Sequence, residues 1–137
     1  MLVFTQVGVT SLLADAKVNT LDGALVHLYK NDYVPTPFSL TADFTTADYT
    51  GYAAQAVAAA SWNATTLSDG SAGLVGPGLF FDATGSSVTN VIYGYYITDA
   101  AGTNTLWAER FDAPRGITGP GTGFTLVPQL NGDSQAG

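Results

Sequence analysis

Apolar residues along this chain recur in short runs and rarely at helical spacing. Residues 24–30, Ala-Leu-Val-His-Leu-Tyr-Lys, are apolar on both faces and sit between turn signals, Asp22-Gly23 before and Asn31-Asp32 after. Residues 52–59 predict a strand that uses small residues where packing must be close. Leu79-Phe80-Phe81 predicts another, between Gly76-Pro77-Gly78 and Gly85. Residues 91–97, Val-Ile-Tyr-Gly-Tyr-Tyr-Ile, carry the strongest strand signal, because Tyr, Val and Ile fit a pleated surface. Gly94 inside that run predicts a bulge or a close backbone approach. Residues 105–111 follow after Asp99-Ala100-Ala101-Gly102, which predicts a hairpin with a loop of about five residues. Residues 124–127 close the set, and residues 2–9 add an N-terminal strand.

Helical periodicity is confined to two windows. At residues 10–18, Thr10 or Ser11 caps a short stripe of Leu12, Leu13 and Ala16. At residues 41–49, Phe44, Ala47 and Tyr49 are loosely spaced, and the crowding of Thr and Asp limits any helix to a brief turn. The pattern is therefore all-β: seven or eight short strands at even spacing, with Gly, Pro, Asn and Asp between them. It predicts a two-layer antiparallel β-sandwich of jelly-roll type with one or two short helical turns. No composition shift marks a second domain, so residues 1–137 read as one β domain with a flexible tail at about 131–137.

Composition narrows the function classes. Only 11% of the 137 residues are charged, against about a quarter in typical domains. The net charge is −7 with four basic residues, which argues against nucleic acid, because neutralising phosphates takes clustered Lys and Arg. Cysteine is absent, which removes disulfides, thiolate metal sites and a cysteine nucleophile. No apolar stretch nears the roughly 18 residues of a membrane span. The N-terminus lacks the basic start and unbroken apolar run of a secretory leader, so synthesis in a cytoplasm is expected.

Candidate chemistry is sparse. His27 is the sole histidine and lies in an apolar strand, where a hydrogen-bonded structural role outweighs a general base or metal ligand. The Gly-x-Ser-x-Gly elbow is absent. Glu109 is the only glutamate, and most aspartates, among them Asp22, Asp69, Asp82, Asp99 and Asp112, occupy turn positions. Asp99 to Asn104, and Asp43 with Asp48, supply oxygens for a calcium site, yet neither matches an EF-hand loop. No catalytic residue, cofactor or metal is therefore expected. Tyr93, Tyr95, Tyr96 and Trp107 support two readings: a sugar-stacking platform, or core and subunit interface, which suits Tyr and Trp better. In an unbroken strand Tyr93 and Tyr95 share one face and Tyr96 takes the other.

Several segments carry a resemblance. Residues 21–37 include Leu-Val-His-Leu-Tyr-Lys-Asn-Asp-Tyr-Val-Pro-Thr-Pro; Ala42-Asp43-Phe44-Thr45, Tyr49-Thr50-Gly51-Tyr52-Ala53 and Trp62 follow. Later come Ile92-Tyr93-Gly94-Tyr95-Tyr96-Ile97-Thr98-Asp99 and Trp107-Ala108-Glu109-Arg110-Phe111. Together these resemble small virion proteins encoded in the structural modules of tailed bacteriophages. The shared motifs are structural and cover about two thirds of the chain. The resemblance implies a non-enzymatic capsid cement or decoration protein, or a head or tail accessory component. It implies localisation in the virion after assembly in the host bacterial cytoplasm. The expected partners are the major capsid protein or other virion proteins, and further copies of the chain as dimer or trimer. A carbohydrate-binding or host-adhesion module of a tail or fibre is the alternative. The expected contact residues are Leu2, Val3 and Phe4, as an arm adding a strand to a neighbour, with Tyr93, Tyr95 and Trp107.

Overall fold

The computed structural model describes residues 17–66 and 72–131, together with Asp15 and Gly70. The predicted strand at residues 2–9, most of the predicted helix at 10–18 and the end of the predicted tail lie outside the described residues. Among the described residues nine strands form: β1 (Ala24–Tyr29), β2 (Gln55–Val57), β3 (Asn63–Thr66), β4 (Ala72–Val75), β5 (Leu79–Asp82), β6 (Asn90–Thr98), β7 (Thr105–Ile117), β8 (Gly123–Leu126) and β9 (Gln129–Asn131). Short 3-10 turns occur at Thr41–Asp43 and Ala59–Ser61. The fold is all-β, and every strand pair is antiparallel. Among the described residues no helix is long and apolar enough to cross a membrane.

The strands group as a four-stranded sheet in the order β2-β1-β6-β7, a three-stranded sheet β3-β4-β9 and a two-stranded ribbon β5-β8. The period-2 alternation of β1 turns Ala24, Val26 and Leu28 to one face, where all three are buried. That face meets Leu74 from β4, Leu79 and Phe81 from β5, Leu126 from β8 and Trp62, so side chains from all three sheets share one core. The opposite face of the large sheet carries a second cluster of Tyr29, Phe44 and Tyr96. There Tyr96 is stacked between His27 and Phe44, with centroids 4.6 Å from each.

Three expectations change. The strand expected at residues 52–59 shrinks to β2, because Gly51 turns the chain at φ 94° and the Tyr52 N–H bonds back to the Tyr49 carbonyl. The β6–β7 loop holds six residues, 99–104. Asp99 organises it: its carboxylate accepts bonds from the Thr103 N–H at 2.9 Å and the Asn104 side-chain amide at 2.8 Å, and Gly102 supplies a φ of 76°. The third change is the phase of β6. Ile92 pairs with Arg115, but Gly94 already pairs with Arg110, so residues 111–114 bulge out of β7 opposite Tyr93. Across this irregularity the phase of β6 itself shifts: Ile92, Tyr95 and Ile97 enter the main core, while Tyr93 joins Tyr96 in the cluster on the opposite face.

Candidate contact surface

That phase shift decides the fate of the four aromatics. Tyr95 is 1% exposed; its hydroxyl donates to Glu109 Oε2 at 2.9 Å, and burial pushes its phenol above the usual range. It is a core residue, which corrects its expected role as a contact. Tyr96 is also buried, and its hydroxyl is 2.5 Å from Thr46 Oγ1. Tyr93 is half-buried, with the Arg110 guanidinium 5.2 Å from its ring centroid. Trp107 is half-buried against the main core and stands edge-on to Trp62 at 5.7 Å. Tyr93 and Trp107 thus pack on different clusters, and the four rings do not assemble into one exposed plane. Leu2, Val3 and Phe4 lie outside the described residues.

The titratable candidates serve the framework. Thr98 Oγ1 donates to the Asp99 carbonyl at 3.0 Å, so the 2.9 Å contact between His27 Nε2 and that oxygen requires Nε2–H as donor. Burial holds the His27 pKa below its ordinary value. Asp48 pairs with Lys30 at 2.8 Å, and hydrogen bonds from Lys30 and then Asn90 keep its carboxyl below the usual range. Asp43 caps its own turn by accepting from the Leu40 N–H at 2.8 Å. Among the described residues no group of three or more His, Asp or Glu side chains is placed to hold a metal.

One surface stands apart. The segment from Asp32 to Asp43 is fastened to β7 at both ends. At one end Arg110 bonds the Tyr33 carbonyl at 3.1 Å and Asp32 at 2.6 Å. At the other, Thr41 Oγ1 donates to the Thr103 carbonyl at 2.9 Å and lies 2.8 Å from Thr105 Oγ1. Between these anchors Thr36-Pro37-Phe38-Ser39 forms a turn closed by Ser39 N–H to the Thr36 carbonyl at 3.0 Å. Proline at the second turn position presets the backbone angle there, and Ser39 Oγ accepts from the Thr36 N–H at 2.8 Å. The turn holds Phe38 outward, 88% exposed, with Val34 and Leu40 also exposed beside it.

A cavity of about 620 Å³ separates this segment from β7, lined by Pro35, Pro37, Ser39, Leu106, Trp107 and Ala108 among others. Of the expected contact residues, Trp107 alone lies in its wall. Residues 34–40 were missed as a contact, although apolar residues interleaved with Pro35 and Pro37, outside any strand pattern, are a usable signal. No family model, curated protein or solved structure matches this chain.

Proposed function

We propose that this chain is a non-enzymatic structural protein of a tailed-bacteriophage virion, a cement or decoration subunit that binds and stabilises the outer shell of the head. The observation that carries this reading is the exposed apolar rim of Val34, Phe38 and Leu40 over an uncharged groove. Contiguous exposed apolar surface marks protein contact sites, and charged residues are depleted at interface cores. The framework behind the rim is rigid in kind: antiparallel sheets on a shared aromatic core, with the rim segment tied to β7 at both ends. Three of the residues able to do acid–base work have structural partners: His27 with Thr98, Asp99 in its turn and Asp48 with Lys30.

The sugar-binding alternative needs an exposed coplanar aromatic pair. Burial of Tyr95 and Tyr96, and the placement of Tyr93 and Trp107 on different clusters, give it no support. The test is co-sedimentation of the purified chain with heads of the encoding phage that lack it, followed by heating of the decorated heads. Saturable binding with a raised rupture temperature is the expected result. Failure to bind any head preparation overturns the proposal.

A further inference from the structure

β7 is an end strand of the four-stranded sheet, and the protection of its outer edge is concentrated from Glu109 onward. Long open edges invite foreign strands, and proteins block them with charge, proline and bulges. From Glu109 onward β7 carries all three: Glu109, Arg110, Asp112 and Arg115, then Pro114, within the bulge at residues 111–114. Residues 105–108, Thr-Leu-Trp-Ala, carry no charge and no proline, and their one irregularity is the extra residue Leu106 between the Ile97–Trp107 and Thr98–Thr105 pairs. Among the described residues their backbone groups pair with β6 and with no other strand or loop. The segment facing them across the cavity contains Pro35 and Pro37, which have no N–H to donate to that edge. The result is a slot about four strand residues long, roughly 13 Å, with a main-chain edge on one wall.

We propose that this slot receives an extended strand from a second copy of the chain, supplied by its residues 2–9. The slot is lined by uncharged side chains, so a charged occupant would be desolvated without a partner. Residues 2–9, Leu-Val-Phe-Thr-Gln-Val-Gly-Val, hold no charge and are rich in β-branched and aromatic residues. Five further residues separate them from Asp15, a tether of roughly 16 Å when extended, long enough to cross between two touching bodies. The donor is a neighbour because of Phe38: a lone strand fills the slot but leaves that ring, 88% exposed, and Leu40 in water. A neighbouring body that delivers its arm covers them as well. The inference rests on the reading of this surface as a contact face, but concerns contact between copies and not contact with the shell.

Cross-linking tests it, because the chain has no cysteine of its own. Val3→Cys, made in isotope-labelled full-length protein, is mixed with unlabelled Thr36→Cys or Pro37→Cys and oxidised. The expected product has about twice the 14.1 kDa chain mass, with a disulfide joining position 3 of a labelled chain to position 36 or 37 of an unlabelled one. Leu2→Cys and Phe4→Cys shift the donor position by one residue and cover the register. If no donor position links to either acceptor between chains, the proposal is overturned. Linkage confined to one chain, in a variant with both cysteines, overturns it too. Cross-linking that succeeds in protein unable to bind heads removes the capsid reading and leaves strand exchange standing.

Discussion

The Tyr29 hydroxyl occupies the space that a side chain at position 94 would need. A Cβ built on Gly94 would lie 2.6 Å from Tyr29 Oη and closer still to the Glu109 carbonyl oxygen. The glycine lets β1, β6 and β7 close up next to the bulge of residues 111–114, where the side-chain phase of β6 shifts. The Tyr29 hydroxyl is itself committed, donating to the Tyr33 carbonyl at 3.1 Å, and burial pushes its phenol up to about 12. Neither neighbour can give way cheaply, since one is main chain and the other a packed ring. Gly94→Ala is expected to destabilise the chain by about 2 kcal/mol or more, as overpacking does. Urea unfolding of the two proteins measures it, and an unchanged midpoint would contradict so close an approach.

Asn90 joins the start of β6 to the segment after the Thr41–Asp43 turn. Its side-chain oxygen accepts from the Asp48 and Tyr49 N–H groups at 2.8 and 2.9 Å, and its amide donates to Asp48 Oδ1 and the Thr89 carbonyl. Removing it strands main-chain donors in a site that is 8% exposed. Asn90→Ala is expected to cost about 2 kcal/mol, in the range for a buried donor left unpaired. Amide exchange at Asp48 and Tyr49 is expected to accelerate in the same variant. Slow exchange at both would show that water or another group replaces the Asn90 oxygen.

The all-β class, and β1, β5, β6, β7 and β8, were legible because aromatic and β-branched runs stood between turn signals. β3, β4 and β9 were not. All four residues of β3, Asn63-Ala64-Thr65-Thr66, are exposed, so no alternation marks them. β4 has Gly73 in its interior, and β9 spans three residues. Gly94 announced the bulge, but its effect on Tyr93 depends on four residues across the hairpin that bulge out of β7. The groove was hidden for a different reason. It exists only because Tyr33 meets Arg110, 77 residues on, and Thr41 meets Thr105, 64 residues on. Local patterning carries no record of such contacts.

His27 gives stability a pH dependence with a defined sign. Its pKa falls below the ordinary 6.5 in the folded chain because burial disfavours the imidazolium. Neither ion pair among the described residues includes it, so no carboxylate offsets that effect. Between the folded value and 6.5 the unfolded chain binds a proton that the folded chain does not, so stability falls as pH drops through this window. Unfolding free energies at successive pH values from 7 to 5 are expected to decline for the native chain. His27→Gln retains a donor for Thr98 and should flatten this decline. An equal slope in both proteins would assign the effect to other groups.

Phe38 and Leu40 separate stability from association. Both side chains are largely in water, 88% and 68% exposed, and Phe38 stands on a turn whose closing bonds come from Thr36 and Ser39. Substitutions at such exposed sites change stability by no more than about 0.5 kcal/mol. Phe38→Ser with Leu40→Ser is therefore expected to leave the urea midpoint where it is. Self-association is expected to weaken about tenfold, the equivalent of 1.4 kcal/mol and typical of losing an interface anchor. Sedimentation velocity across a concentration series reads the association, and circular dichroism in urea reads the fold. Trp107→Ala provides the contrast, since its ring packs on Trp62 and its loss should lower the midpoint as well. If the double variant associates as tightly as the native chain, the apolar rim is not where copies meet, whatever its exposure.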